Sequence, residues 1–164
     1  MTLQQVIQES KQNSGGWKLV SFSPIHLRLM TPDSFQKQQL INYPGHTEIL
    51  EHQAKLGPSG TLLHQGAVIA SFGFVEIHTG VFEAWLWRDR SRSSRRVVAS
   101  LRLSREIFDQ LGRILPLHRA QFYVQRQNSP AVRYAKWLDF HCEGVLKRYG
   151  PDQTDYEIYA RLYG

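Results

Sequence analysis

The stretch NSPAVRYAKWLDFHCEGVLKRYGPDQTDYEIYARL, residues 128–162, holds a helix, a strand, a turn and a second strand in close succession. Asparagine caps helices and proline favours the first helical turn, so the opening NSP predicts a short helix over 131–140. Strands are predicted at 141–150 and 155–163, separated by the turn letters PDQT. This part of the chain therefore reads as a helix followed by an antiparallel hairpin.

The middle of the chain alternates strands with one long helix. Strands are predicted at 61–66, 67–78 and 81–89, and the two-residue links QG and TG between them indicate antiparallel hairpins. Apolar residues with helical spacing predict a helix over 97–115, before a strand at 119–125. This helix is long enough to connect two parallel strands.

The first part of the chain is predicted to contain an N-terminal arm, one strand and two helices. Residues 1–16 read as an N-terminal arm, and residues 17–164 as a single domain. The alternating letters PIHLRLM at 24–30 predict a half-buried strand. Helices are predicted at 33–41 and 46–56. The resulting order, β, α, α, β, β, β, α, β, α, β, β, is typical of an α+β or mixed α/β domain.

Composition narrows the class of protein. The 164 residues are 41% hydrophobic and 12% aromatic, which is enough to bury a core and argues against disorder. No apolar run approaches the roughly 20 residues of a membrane span, and the polar N-terminus does not read as a signal peptide. Cys142 is the only cysteine, so a reducing compartment is expected and a cytoplasmic location is predicted. The seven histidines form no metal-binding spacing, so no metal site is predicted.

The positive charge of the chain is concentrated in one segment. Residues 88–105 hold seven arginines and one aspartate, a net charge of +6, which equals the net charge of the whole chain. Three interpretations are open for residues 88–96 of this segment: a solvated charged loop, a phosphate-binding loop at a helix start, or a nucleic-acid patch. No aromatic residue is interleaved with the arginines and no nucleic-acid motif is present, which weakens the third interpretation.

The pattern of residues 128–162 resembles the closing motif of the GNAT N-acetyltransferases. In that motif an asparagine opens a short helix, an aromatic residue and LGF end it, and an EG strand and a DY-x-x-YA strand follow. The matching positions are Asn128, Ala131, Trp137, Leu138, Phe140, Glu143, Gly144, Asp155, Tyr156, Tyr159 and Ala160. The element order extends the resemblance to nearly the whole chain.

This resemblance implies a mixed α/β acyl-CoA N-acyltransferase fold, with a mostly antiparallel central sheet flanked by helices. It also implies acetyl transfer from acetyl-CoA to an amine that the sequence does not identify. The resemblance is nearest to the GNAT-like proteins of tailed phages, one branch of which is packaged inside the virion. For a phage protein the expected location is the host cytoplasm or the virion.

The resemblance places a cofactor site beside the fourth strand and the central helix. Backbone groups near Leu86, Trp87 and Arg88 are expected to pair with the pantetheine arm, although Trp87 and its neighbour Trp85 also suit core packing. Asn128 is expected to contact pantetheine, to cap its helix, or both. The phosphate-binding loop of the family is expected at Ser93, Ser94, Arg95 and Arg96.

Three departures from the family pattern bear on activity. The family's phosphate loop is rich in glycine, but this chain has no glycine between Gly80 and Gly112. The family's general-acid tyrosine falls on Ala135, and the glycine of its LGF sequence falls on Asp139. The serines and arginines at 93–96 would have to replace close backbone approach to the phosphate.

The resemblance and the residue types together nominate two catalytic groups. Glu83, on the fourth strand, is the candidate base that removes a proton from the amine, against the alternative of a solvent-facing strand residue. Tyr134 is the candidate acid, with Tyr123 and Tyr149 behind it, against the alternative that each is a packing residue.

A second hypothesis belongs to a different class. The chain would keep the GNAT scaffold without catalysis and act as a structural or interaction protein, for example in a phage particle. Residues 88–105 would then bind an acidic protein or DNA. No membrane association is predicted, and either a monomer or a homodimer fits the sequence.

Overall fold

The computed structural model describes residues 16–91 and 94–164, with residues 94–99 included only as part of their helix. The predicted N-terminal arm lies outside the described residues, apart from Gly16. The elements in chain order are β1 (Trp17–Ser21), α1 (Pro24–Arg28), α2 (Ser34–Asn42), α3 (His46–Leu56), β2 (Ser59–His64), β3 (Ala67–His78), β4 (Val81–Arg88), α4 (Ser94–Ile114), β5 (Arg119–Gln125), α5 (Ser129–Trp137), β6 (His141–Leu146) and β7 (Tyr156–Leu162).

All seven strands form one sheet in the order β1-β2-β3-β4-β5-β7-β6. Neighbouring strands are antiparallel except β4 and β5, which are parallel and are connected through α4. The predicted mixed α/β class, the mostly antiparallel sheet and the parallel crossover are therefore confirmed. Within the described ranges, no helix is both long and apolar enough to cross a membrane.

The predicted strand at 24–30 is wrong, because this segment contains the helix α1. The alternation of apolar residues does not correspond to a buried face, since Ile25 is 50% and Leu29 61% exposed. The local helix signals decide the outcome: Pro24 occupies the first helical turn, and the ring of His26 accepts a hydrogen bond from the Ser23 backbone N–H at 3.1 Å. The strand of this region is β1, which the sequence pattern did not reveal.

The two faces of the sheet carry different helices. One face, here called the α4/α5 face, packs Phe74 and Phe82 against Ile107 and Leu111 of α4, and the strands β5 and β7 against α5. The opposite face, the α1–α3 face, packs Trp87 of β4 against Leu50 of α3. A bulge in the β2–β3 ladder, between Leu62 and Leu63, shifts the alternation of side chains along these strands.

The end of α5 shows how a residue that departs from the family pattern is accommodated. Asp139 has a φ of 64°, in the left-handed region that glycine adopts most easily. The backbone N–H of Phe140 donates to the carbonyl of Ala135 at 3.0 Å, and that of Asp139 donates to Lys136 at 3.1 Å. This is a Schellman ending, in which aspartate takes the place of the expected glycine.

Candidate functional site

The strands β4 and β5 pair over only part of their length. The parallel register joins Val81–Glu83 to Arg119–Gln121, and no later residues of the two strands are paired. The strand β4 nevertheless stays paired with β3 as far as Arg88. The central sheet therefore has an opening between β4 and β5, beyond Glu83 on one strand and Gln121 on the other.

The backbone of β4 presents unpaired groups to this opening. The N–H of Asp89 donates to the Ile69 carbonyl of β3 at 2.9 Å. Hydrogen-bonding direction alternates along an antiparallel strand, so the backbone groups of Trp87 also face β3, whereas those of Leu86 face the opening. Amide groups at such a position can pair with the amides of an extended ligand.

A cavity of about 350 Å³ occupies the opening and reaches both faces of the sheet. On the α4/α5 face its lining includes Ser104, Phe108, Ala131, Tyr134 and Leu138. On the α1–α3 face its lining includes Phe35, Gln36, Gln39, His46, Gln53, Glu83, Trp85, Tyr123, Gln125, Tyr149 and Tyr156. The two parts of the cavity are here called the α4/α5 half and the α1–α3 half.

Glu83 lies where the two strands part and lines the cavity. Its side chain is half-buried, and burial raises the pKa of this carboxyl above its ordinary value. A carboxyl with a raised pKa holds a transferred proton more readily near neutral pH. The position is therefore suited to a general base, the role predicted for this residue.

Tyr134 lies on the other side of the opening, on α5. Ser104 of α4 lines the same cavity, and burial raises the pKa of the Tyr134 phenol above its ordinary value. The phenol therefore stays protonated at neutral pH and can donate a proton. Ala135, at the family's usual acid position, is fully buried in the core and faces away from this role.

The three predicted cofactor residues of β4 have different surroundings. Leu86 is partly exposed and lines the cavity, with its backbone groups facing the opening. The Trp87 side chain is 6% exposed and belongs to the core cluster of the α1–α3 face, as the packing alternative anticipated. Arg88 is half-buried and lines a small adjoining cavity beside Tyr134.

Asn128 serves as the N-cap of α5. Its side-chain oxygen accepts a hydrogen bond from the backbone N–H of Ala131 at 3.2 Å, which confirms the predicted cap. Asn128 also lines the cavity. The predicted contact with pantetheine stays a prediction that this position permits.

The arginine-rich segment is anchored at its beginning by a buried carboxylate. Asp89 is 3% exposed and accepts hydrogen bonds from the backbone N–H and the hydroxyl of Ser91, both at 2.8 Å. The next described residue is Ser94, which begins α4. Of the predicted phosphate-binding residues, Ser93 lies outside the described residues, and Ser94, Arg95 and Arg96 are described only as the first turn of α4.

A group of tyrosines beside Glu83 is the main feature that the sequence did not assemble. The rings of Tyr123 and Tyr149 lie 5.1 Å apart, and those of Tyr149 and Tyr156 lie 5.4 Å apart, measured between centroids. The Tyr123 hydroxyl accepts a hydrogen bond from Gln121 at 3.3 Å. Burial is the main cause that raises the pKa of each of the three phenols, so all three are neutral at pH 7.

The sequence contained one signal for this tyrosine group. Residues at alternate positions of a strand share a face, so Gln121, Tyr123 and Gln125 could be assigned together to one face of β5. The pairing of Gln125 with Tyr156 depends on the order of β5 and β7 in the sheet, which the sequence does not give. In residues 16–91 and 94–164, no three acidic, histidine or cysteine side chains group closely enough to hold a metal ion.

Solved structures resemble nearly the whole chain. RimL, a ribosomal L7/L12 alpha-N-protein acetyltransferase in complex with coenzyme A, matches 91% of this chain and 95% of its own at 18% identity, with a TM-score of 0.70. Ard1 from Thermoplasma volcanium matches 92% and 99% at 15% identity, with a TM-score of 0.72. A GNAT-family acetyltransferase from Bacillus anthracis matches 92% and 96% at 13% identity, with a TM-score of 0.68.

The chain has the GNAT fold. The Microcin C7 self immunity acetyltransferase MccE, in complex with acetyl-CoA and AMP, shares this fold with a TM-score of 0.67 at 13% identity, over 92% of this chain and 94% of its own. No protein-family model and no curated protein matches the sequence. The similarity thus confirms the predicted fold of the GNAT acetyltransferases, while the predicted nearness to phage proteins is not supported by it.

Proposed function

We propose that this protein is an N-acetyltransferase that transfers the acetyl group of acetyl-CoA to a primary amine. One observation carries the proposal: a single cavity passes through the opening between β4 and β5 and has a carboxyl and a phenol at its walls. Glu83 provides the carboxyl on the α1–α3 face, and Tyr134 provides the phenol on the α4/α5 face. A base and an acid on opposite sides of one opening are the two groups that amine acylation uses.

The residues around the opening fit acetyl-CoA. The Leu86 backbone can pair with the pantetheine amides, and Asn128 lies at the wall of the same cavity. The first turn of α4 contains no acidic residue, and the helix N-terminus together with Arg95 and Arg96 suits a pyrophosphate. When bound, acetyl-CoA supplies an acetyl group activated as a thioester.

Glu83 acts first in the proposed reaction. An amine is protonated at neutral pH and must lose a proton before its nitrogen can attack. The Glu83 carboxylate accepts that proton, and its raised pKa makes the transfer from an ammonium group less unfavourable.

Tyr134 acts as the proton donor at the other side of the opening. Its phenol is neutral because burial raises its pKa, so it can give its proton to the departing sulfur. Ser104 of α4 lines the cavity together with Tyr134. The hydroxyl of Ser104 in turn donates to the Ser100 carbonyl one helical turn earlier, at 2.7 Å.

Titration calorimetry with acetyl-CoA tests the proposal. The full chain is expected to bind acetyl-CoA at micromolar concentration, and binding should weaken by roughly tenfold or more in the variant Arg95→Ala/Arg96→Ala. Arg113→Ala is the control, because it removes one positive charge from the other end of α4 and should leave binding unchanged. Absence of binding to the unmodified chain at millimolar acetyl-CoA would refute the proposal.

The second candidate function is binding of DNA or an acidic protein by residues 88–105. The observation that favours it is the absence of glycine between Gly80 and Gly112, where the family's phosphate loop needs it. In that case a DNA fragment should be retarded in a gel at low salt. The retardation should disappear at high salt and in the variant Arg92→Ala/Arg95→Ala/Arg96→Ala.

A further inference from the structure

The α1–α3 half of the cavity is lined by very few charged side chains. Among the described residues that line the whole cavity, Glu83 is the only acidic one, and neither lysine nor arginine occurs. His46 also lines it, but burial lowers the pKa of its ring, so it is neutral at pH 7. Among the described lining residues, a bound molecule therefore meets one negative charge and no positive charge.

The remaining polar groups of this half are uncharged. Gln39 of α2 and Gln53 of α3 face the cavity from one side, and Gln125 of β5 faces it from the other. Amides of this kind can hydrogen bond to a ligand but do not neutralise a carboxylate or a phosphate. An anionic group placed here would lose its hydration without gaining an ion pair, which is strongly unfavourable.

The aromatic rings supply the other part of the surface. Tyr123, Tyr149 and Tyr156 form a continuous group of rings, and Phe35 and Trp85 line the same half. Neutral aromatic rings attract a single ammonium group through their faces and pack well against an apolar or aromatic body. A second ammonium group would have no second carboxylate to meet.

We infer that the acceptor is a monoamine with an apolar or aromatic body and no anionic group beside its nitrogen. This inference rests on the proposed acetyltransferase function and narrows its substrate class. Amino acids with a free α-carboxylate are excluded because neither lysine nor arginine occurs among the described residues that line the site. Polyamines are excluded because Glu83 is the only carboxylate among those residues.

Four amines test the inference with the full chain and acetyl-CoA: phenethylamine, phenylalaninamide, phenylalanine and spermidine. The first three share one aromatic body and differ in the group beside the amine, so they isolate the effect of charge. We expect kcat/KM for phenethylamine and phenylalaninamide to agree within about tenfold, and each to exceed that for phenylalanine by about 100-fold or more. Spermidine should be as poor as phenylalanine.

A pair of variants on α2 tests whether the charge of the lining sets this preference. Gln39→Lys places a cation in the α1–α3 half and should raise KM for phenethylamine about tenfold while lowering KM for phenylalanine. Gln38→Lys is the matched control: it adds the same charge to the same helix at an exposed residue that does not line the cavity. It should change neither constant.

The outcomes separate this inference from the proposed function. Acetyl-CoA binding together with preferred turnover of phenylalanine or spermidine would overturn the inference and leave the acetyltransferase function standing. Acetyl-CoA binding without turnover of any of the four amines would also overturn the inference. Absence of acetyl-CoA binding would remove the proposed function, and this inference with it.

Discussion

The two faces of the sheet are both packed against helices, but they are built from different chemistry. On the α4/α5 face the aromatic rings of Phe74, Phe108, Phe140 and Phe122 contact each other in sequence, with centroids 5.5, 5.2 and 4.6 Å apart. The first two contacts are edge-to-face, and the third, between Phe140 and Phe122, is tilted, so the rings hold each other in place without any charge. These four rings form a continuous apolar wall within the α4/α5 face.

The α1–α3 face is polar even where it is completely buried. Thr61 and Ser71 are both fully buried, and their hydroxyl oxygens lie 2.9 Å apart in a hydrogen bond between β2 and β3. His26 of α1 joins the Thr61 hydroxyl at 2.8 Å. Further along the same face lie Glu83 and the tyrosine group. In the proposed reaction, the aromatic ladder of the α4/α5 face provides rigid support, whereas the α1–α3 face provides the base Glu83 and the surface that selects the amine.

The largest expected effect comes from removing the carboxyl of Glu83. Glu83→Gln keeps the size and polarity of the side chain but removes its ability to accept a proton. We expect kcat/KM to fall roughly 10²–10⁴-fold, with acetyl-CoA affinity unchanged by calorimetry. A loss of less than tenfold with unchanged cofactor binding would show that Glu83 is not the base.

The pH dependence of activity, compared between the unmodified protein and Glu83→Gln, gives a second test of the role of Glu83. Glu83 must be ionised to act as a base, so activity falls as the pH drops through its pKa. Because burial raises that pKa, the acidic limb of the profile should lie at higher pH than for an ordinary carboxyl. Glu83→Gln should lack this limb.

Truncating one buried leucine on each face of the sheet compares how much the two faces contribute to the free energy of unfolding. Leu111 of α4 is fully buried in the apolar wall, whereas Leu50 of α3 is 2% exposed but lines the cavity. Leu111→Ala removes contacts on every side and should lower the free energy of unfolding by about 3–4 kcal/mol. Leu50→Ala should cost about 2 kcal/mol, because part of its surroundings is already empty. Denaturant unfolding measures both, and equal losses would contradict the comparison.

The sequence predicted the apolar face better than the polar one. The helix α4, the hairpins and the presence of α5 follow from local signals, although α5 ends at Trp137 and not at the predicted residue 140, and Asp139 adopts the left-handed conformation of a Schellman ending. On the polar face, the alternation at 24–30 indicated a strand where α1 forms. Alternation reports a buried face only when tertiary packing covers it, and Leu29 is exposed.

Sequence alone could identify site residues one at a time, where their strand or helix was clear. Glu83 and Asn128 could be named because their elements were clear from the sequence, and both line the cavity. The tyrosine group needed three segments to meet across the β5–β7 pairing, and the neutral glutamine lining needed the positions of α2 and α3. Such contacts between distant segments leave no periodic pattern in one sequence.

A glycine on the polar face provides the next test. A Cβ atom on Gly73 would lie 2.6 Å from the indole ring of Trp85, which stands directly over the strand. Gly73→Ala should therefore cost roughly 1–3 kcal/mol of unfolding free energy and push Trp85 toward the cavity, raising KM for the amine. Gly144→Ala is the matched strand control, since its Cβ would approach no atom closer than 4.0 Å. A cost for Gly144→Ala as large as that for Gly73→Ala would contradict this explanation.

The smallest expected effect concerns the half-buried ring of His26, which contacts the buried hydroxyl of Thr61. Burial lowers the pKa of this ring, and its Nδ1 already accepts the Ser23 backbone N–H, so the folded protein resists protonation there. The unfolded chain takes up a proton near the ordinary value of 6.5, and it therefore binds more protons than the folded chain as the pH falls. Stability should be full at pH 7 and decline toward pH 5, by less than the loss from Leu50→Ala.

A conservative variant separates titration from helix capping at this position. His26→Gln preserves the reciprocal hydrogen bond of a capping box with Ser23 but cannot be protonated, so the decline between pH 7 and pH 5 should shrink. His78→Gln, at an exposed histidine of β3, serves as the control and should leave the decline unchanged. The part of the decline that persists in His26→Gln should diminish further when His46 is also replaced by Gln, because burial lowers the pKa of that ring as well. An unaltered decline in the doubly substituted protein would place the acid sensitivity outside the α1–α3 face and remove one of the differences between the two faces.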